Sequence, residues 1–216
     1  MDIKYIGHAS FFIKTKNSRV ITDPFDPKIG LKFPKQEADT VTISHHHSDH
    51  DFLGQINGNP LVIDWPGEFE KQEVRITGFS SFHDKEKGAQ RGVNILYKIE
   101  AEGISILHCG DLGVVPDENF LEQIGEVNVL MVPVGGFYTI DANEAVEMVK
   151  KVEPSIVIPM HFNRPELDKT VFEKVAPLED FLKKIGAENA ERTTKLTLKE
   201  SDFGEEETKV VVMEIG

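Results

Sequence analysis

Apolar positions in the first half of the chain come in short runs rich in β-branched and aromatic residues, at 3–6, 11–14, 20–22, 41–44, 61–64 and 74–77. Turn formers such as Asn17-Ser18, Pro24, Pro27, Gly58-Asn59-Pro60 and Gly67 separate them. Short apolar runs between turn residues predict strands joined by local connections. Two more runs, 93–99 and 104–109, flank the turn-like 100–103 and predict a hairpin.

The pattern then changes. Residues 127–132 and 156–159 are short and continuously apolar, as strands covered on both faces are. Between them Asp141 stands three residues before Glu144, as in a capping box, and Ala142, Ala145, Val146, Val149 and Val152 recur at helical spacing. That is a βαβ arrangement. A second helix is predicted with Pro177 in its first turn, Leu178, Phe181, Leu182 and Ile185 on one face, Lys183 and Lys184 near its negative end and Gly186 as its stop. Residues 195–199 and 209–214 read as closing strands around an acidic stretch at 205–207, while 24–39 and 162–176 read as long loops of the kind that often carry function. With no internal repeat and no interdomain linker, residues 1–216 are expected to form one domain, two packed sheets with helices outside.

Composition narrows the partners. Hydrophobic residues at 39% and charged residues at 28% fit a chain that builds its own core. The 37 acidic residues against 24 basic ones leave a formal charge of −13, a field that repels nucleic acid and anionic membranes and favours a small-molecule substrate. A bound divalent cation can still attract an anionic one. Cys109 is the single cysteine, so no internal disulfide forms, and a reducing, cytoplasmic setting is expected. No apolar run approaches the roughly 18 residues needed to cross a bilayer. Assembly into a homo-oligomer is left open.

The chemistry concentrates in Ser44-His45-His46-His47-Ser48-Asp49-His50, directly after the strand at 41–44. Imidazole nitrogen and carboxylate oxygen suit zinc, iron or manganese, and a tight turn out of a strand aims several such groups at one point. His45 and His47, two apart, can converge on one ion, while Asp49-His50 swing round the turn to a second. Oligohistidine also occurs in disordered tails, but this stretch lies mid-chain, before Phe52-Leu53-Gly54.

The spacing His45-x-His47-x-Asp49-His50 resembles the HxHxDH motif of the metallo-β-lactamase superfamily, and Asp23, His83, Asp111 and His161 follow in the order that family requires. The resemblance spans most of the chain and implies an α/β fold, the four-layer αββα sandwich. It implies that His45, His47 and His83 bind one metal, that Asp49, His50 and His161 bind a second, that Asp111 bridges them, and that Asp23 braces the histidine turn from behind. Ile6-Gly7-His8-Ala9-Ser10, Val132-Pro133-Val134-Gly135-Gly136 and Ile158-Pro159-Met160-His161 are similar to small stand-alone hydrolases such as ascorbate-6-phosphate lactonase and, more distantly, the phospholipase D acting on N-acyl-phosphatidylethanolamines. The implied cofactors are two divalent ions, zinc first, with manganese or iron as alternatives. The implied reaction is hydrolysis of a small ester, lactone or phosphodiester by a metal-bound hydroxide, with Asp49 and Asp111 as catalytic carboxylates. Two other readings stay open: a non-hydrolytic di-metal protein, redox or metal-sensing, and an RNA-acting nuclease, which needs a basic groove.

Several residues carry alternative readings. His108 stands three before Asp111, so a regular strand would point them to opposite faces, which favours His83 as ligand; a bulge would reverse this. His8 is either a turn histidine or a contact to the site. His46 should face away, and Cys109 should behave as a small apolar residue. Phe137, Tyr138 and Thr139 either touch substrate or shape a turn. Trp65, Phe11, Phe12 and Phe25 are expected in the core.

Overall fold

Strand formation follows the apolar runs, and the alternation within each strand decides which layer it serves. The computed structural model describes residues 1–204 and 207–216, so Glu205 and Glu206 of the acidic stretch lie outside the described residues. The chain runs β1 (Asp2–Gly7), β2 (Ser10–Lys14), β3 (Arg19–Thr22), β4 (Gln36–Glu37), β5 (Thr40–Thr42), β6 (Ile56–Asn57), β7 (Leu61–Ile63), β8 (Gly67–Lys71), β9 (Val74–Phe82), β10 (Val93–Ala101) and β11 (Ile104–His108). There follow α1 (Glu118–Ile124), β12 (Val129–Pro133), α2 (Ala142–Val152), β13 (Ile156–Met160), α3 (Lys169–Phe172), α4 (Leu178–Ile185), β14 (Glu191–Thr193), β15 (Leu196–Thr197) and β16 (Lys209–Met213).

Two large sheets result, ordered β15-β1-β2-β3-β5-β7 and β14-β16-β13-β12-β11-β10-β9-β8, beside a small β4-β6 pair. Ile3, Tyr5, Phe11, Ile13 and Val20 of the first sheet share one core with Leu96, Ile99, Ile106 and Leu130 of the second. Their neighbours on the opposite face, Ile6, Ile21, Val41 and Ile43, pack under Phe25, Ile29, Leu31 and Phe33 from one long loop and Leu167, Phe172 and Val175 from the other. Helices α1, α2 and α4 contribute to the core of the second sheet instead. The αββα sandwich is therefore present, with one outer layer built largely from the two long loops and short α3.

β12 and β13 are buried at every position and pair in parallel, with α2 in the connection between them. Asp141 and Glu144 form the capping box, and the buried stripe of α2 takes in Met148 beside Ala142, Ala145 and Val149. Apolar patterning showed neither the two-residue β4 and β6 nor α3, and three further elements were invisible to it. β8 is an edge strand whose Gly67 reads as a turn, α1 is a single short helix capped by Asp117, and β14 is largely exposed. Trp65 corrects its core expectation: it is 55% exposed in the connection before β8, where its ring meets Phe69 edge-on at 5.8 Å. Phe11 and Phe25 are fully buried, Phe12 half-buried. Among the described residues no helix is long and apolar enough to cross a membrane.

Candidate metal centre

The chemistry-bearing residues sit just past strand ends: His8 after β1, Asp23 after β3, the histidine stretch after β5, His83 after β9, Asp111 after β11 and His161 after β13. Parallel pairing of β3 with β5, and of β11 through β13, places several of these ends together. His8, Asp23 and His161 all adopt left-handed backbone, with φ of 55°, 38° and 52°, an uncommon conformation for residues with a side chain and one that clusters at functional sites.

Asp23 organises the histidine turn. Fully buried, it accepts hydrogen bonds from Ser44 N–H (2.7 Å), from the Ser44 hydroxyl (2.6 Å) and from His50 Nδ1–H (2.9 Å). Because the Ser44 proton points to Asp23, Ser44 Oγ accepts from His45 Nδ1–H at 2.9 Å. Both imidazoles thus have Nδ1 committed to protein, which leaves Nε2 as the nitrogen each can offer a cation. Burial opposes ionisation of Asp23, yet the His50 hydrogen bond and the charges of His108, His50 and His45 hold its pKa below the ordinary value.

Asp111 is the centre of the constellation. One carboxylate oxygen lies 3.2 Å from His161 Nε2, 3.3 Å from His83 Nε2 and 4.0 Å from His45 Nε2, and the other lies 3.3 Å from His50 Nε2. The Nε2 atoms of His45, His50 and His161 and Asp111 Oδ1 are buried and make no hydrogen bond. An unpaired buried polar atom costs about 1–3 kcal/mol, so several in one cluster require a shared partner. Their donor atoms fall into sets within 4.8 Å of one another: His45, His47 and His83; His45, His50 and Asp111; and His8, Asp49, His50 and His161. Imidazole and carboxylate donors in such sets fit divalent metal ions.

The electrostatics agree. Burial by itself would depress His50, but Asp111 and Asp49 beside it, with Asp23 on its other nitrogen, raise its pKa well above the ordinary value. Burial would likewise raise Asp111 and Asp49, yet His161 and His50 hold Asp111 well below its usual range, and His50 and His8 hold Asp49 down. The carboxylates stay ionised and draw positive charge to His50, the place where a cation would substitute for the proton. Burial pushes His45 to about 2 and His8 to about 4, and it lowers His83, so these imidazoles are neutral and able to ligate at neutral pH.

His8 lies inside the constellation. Its Nε2 is 3.1 Å from Asp49 Oδ2, its ring lies 4.2 Å from that of His161 at a 44° tilt, and its carbonyl accepts from Tyr5 OH and His161 N–H. With Asp49 ionised, His8 Nε2–H is the donor. His108 points elsewhere: Nε2 donates to Ala9 O at 2.7 Å and Nδ1 accepts from Gly110 N–H, so both ring nitrogens are used. Strand alternation does not decide this, since β11 ends at His108 and Asp111 lies beyond a left-handed Gly110. His46 is exposed and faces Asp51 and Asp64. Cys109 is buried, and burial raises its thiol pKa. Tyr138 lies farther out, its hydroxyl donating to Val171 O and its ring 6.4 Å from Phe172, which in turn packs against His8 at 5.2 Å.

Asn94 and Gly113 escaped sequence reading. Asn94, buried in β10, accepts from Asp111 N–H at 2.9 Å and donates to Cys109 O, holding the turn that presents the Asp111 carboxylate; a lone Asn within an apolar strand was the available signal. Gly113 and Gly135 pass close to ligand backbones, where a Cβ would strike the His83–Asp84 peptide and His161 O respectively. A concavity of about 860 Å³ between Lys4, Phe12 and Phe33 contains none of the clustered His and Asp residues, whereas a smaller cleft of about 360 Å³ opens on His83.

A family model described as a beta-lactamase superfamily domain matches residues 2–161. A UPF0173 metal-dependent hydrolase from Thermococcus onnurineus is 29% identical over 189 residues, which cover 74% of this chain and 84% of that protein. The crystal structure of a candidate Zn-dependent hydrolase of the metallo-β-lactamase superfamily from Thermotoga maritima matches with a TM-score of 0.81 at 38% identity, over 98% of this chain and 97% of its own. Igni18, a metallo hydrolase from Ignicoccus hospitalis, shares the fold at a TM-score of 0.70 and 20% identity, over 100% of this chain and 95% of its own.

Proposed function

This chain belongs to the metallo-β-lactamase superfamily and is a metal-dependent hydrolase, and on that premise we propose a binuclear centre, zinc first, that hydrolyses a small ester, lactone or phosphodiester. His45, His47 and His83 would hold one ion, Asp49, His50 and His161 the other, and Asp111 would join the two. The observation that carries this reading is the convergence of His83, His161, His50 and His45 Nε2 atoms within 3.2–4.0 Å of one buried Asp111 carboxylate.

Divalent ions at such a site supply Lewis acidity, which acidifies water and polarises a carbonyl or phosphoryl oxygen. The protein's own groups do the positioning. Asp49, 21% exposed at the edge of the cluster, is the carboxylate able to take a proton from the attacking water. Its held-down pKa keeps it ionised, and His8 Nε2–H fixes the orientation of Oδ2. Asp23, through Ser44 and His50, locks the imidazoles in the ligating tautomer, so the site is formed before substrate arrives. The acidic net charge and the buried, unactivated Cys109 fit a small-molecule enzyme of the cytoplasm.

The test is the initial rate of zinc-loaded and manganese-loaded protein on neutral and anionic chromogenic esters, lactones and phosphodiesters, with Asp111→Ala as the blank. Metal-dependent turnover of one class that vanishes in the blank is expected. Equal rates for wild type and a folded Asp111→Ala protein would sink the two-metal reading.

A further inference from the structure

The loop between His83 and Gly92 is tied into one rigid unit. Asp84 accepts backbone N–H bonds from Glu86 (2.8 Å), Gly88 (2.9 Å), Gln90 (2.9 Å) and Arg91 (2.7 Å), and His83 N–H closes the loop onto Gly92 O at 3.1 Å. Arg91 is therefore carried at a fixed offset from a candidate metal ligand. Both residues line the cleft of about 360 Å³, whose far wall is Phe137 and Tyr138.

The Arg91 guanidinium lies over the Tyr138 ring, 5.4 Å from its centroid. Tyr138 is itself fixed by its hydroxyl bond to Val171 O and by the Phe137 ring packed edge-on at 4.7 Å. Lys174 covers the Phe137 ring at 5.1 Å, so two cations flank one aromatic pair. A guanidinium held over a ring by its charge still carries N–H groups free to donate. Among the described residues the Arg91 guanidinium has no hydrogen-bond or ion-pair partner.

The acids of the same cleft do not neutralise it. Asp84 is occupied by four N–H groups, Asp141 by the first turn of α2, and Glu144 by Asp141 N–H and by Lys85 at 2.5 Å. Glu86, exposed on the loop, makes no hydrogen bond or ion pair with Arg91. In a chain with a formal charge of −13, an Arg held over an aromatic ring, fixed by its loop and without a side-chain hydrogen bond or ion pair among the described residues, is placed beside a candidate metal ligand for a ligand anion.

We propose that Arg91, held on Tyr138, is a substrate-binding residue that recognises a planar or tetrahedral oxyanion, a carboxylate or a phosphate, on the part of the substrate remote from the bond cleaved. This rests on the hydrolase reading for the position of that bond. The guanidinium fork donates two parallel hydrogen bonds to such a group, which an ammonium cannot reproduce.

The test is calorimetric binding of glutarate, inorganic phosphate and phenylphosphonate to zinc-loaded wild type, Arg91→Gln and Arg91→Lys. At least one anion should bind wild type about tenfold or more tighter than Arg91→Gln, with Arg91→Lys between them. Preference for glutarate identifies a carboxylate, preference for the phosphorus anions a phosphate. Equal affinities in wild type and Arg91→Gln, or no binding of any anion to wild type, overturn the proposal. Binding needs no turnover, so the two readings fail separately. Anion binding that depends on Arg91 with silence on every substrate counts against the hydrolase reading only, while metal-dependent turnover with equal affinities counts against the anion site only.

Discussion

At the scale of single residues, the ligand cluster and the groups behind it should separate cleanly. Asp111→Ala removes the carboxylate shared by four imidazoles, so it should lose metal by elemental analysis and more than about a hundredfold in rate, beyond the 10–100-fold typical of supporting groups. His46→Ala, at an exposed ring, should keep both. Asp23→Ala strips partners from Ser44 N–H, Ser44 Oγ–H and His50 Nδ1–H. It should weaken metal affinity about 10–100-fold in competition with a chromogenic chelator. It should also cost roughly 1–3 kcal/mol for each donor left unpaired. An Asp23→Ala protein with wild-type affinity would show that the turn holds its ligating geometry without the carboxylate.

At the scale of elements, helix caps and close approaches have different consequences. Asp117 caps α1 with a bond to Phe120 N–H. Asp117→Ala should lower the unfolding free energy measured in urea by about 1 kcal/mol without altering metal affinity. Gly135 follows β12, where the added methyl of Ala would meet His161 O and the Val175 side chain. Gly135→Ala should displace the turn that presents His161, lowering metal affinity more than stability. The cobalt-loaded protein would register this as a changed visible spectrum. These elements matter because the ligands lie just beyond strand ends, where packing fixes the backbone but no ladder bond holds the side chain.

For the whole molecule, the buried histidines set the pH dependence of metal-free stability. His8, at about 4, and His45, at about 2, refuse protons that the unfolded chain accepts near 6.5. Stability should therefore fall as pH drops below 6.5, by up to about 1.4 kcal/mol per pH unit for each group. His50 acts in the opposite sense. Its raised pKa gives stability that is complete below 6.5 and lost as pH climbs toward its folded value. The depressed Asp23, Asp49 and Asp111 add stability above about 3.9 that disappears on further acidification. Urea midpoints of chelator-treated protein should peak near pH 6.5. Zinc at about 100 times its dissociation constant should add roughly 2.7 kcal/mol at neutral pH. It should add less in acid, as protons compete for the ligands.

The sequence by itself determined much of the architecture, because short apolar runs, capping boxes and turn residues are local signals: the β10–β11 hairpin, the β12–α2–β13 unit and α4 were legible there. The His45-x-His47-x-Asp49-His50 spacing was equally local, and it marked the metal chemistry. Boundaries drifted where pairing overrode pattern, as at β5, which stops at Thr42 so that Ser44 can meet Asp23. Only the tertiary structure decided what depends on neighbours distant in sequence. It turned His108 onto Ala9 O, brought His8 against Asp49 across 41 residues, placed Asn94 under Asp111 and stacked Arg91 on Tyr138. A side chain's type and spacing state what it can bind. Whether its lone pair or N–H edge is left free is settled by the groups that long-range packing sets beside it.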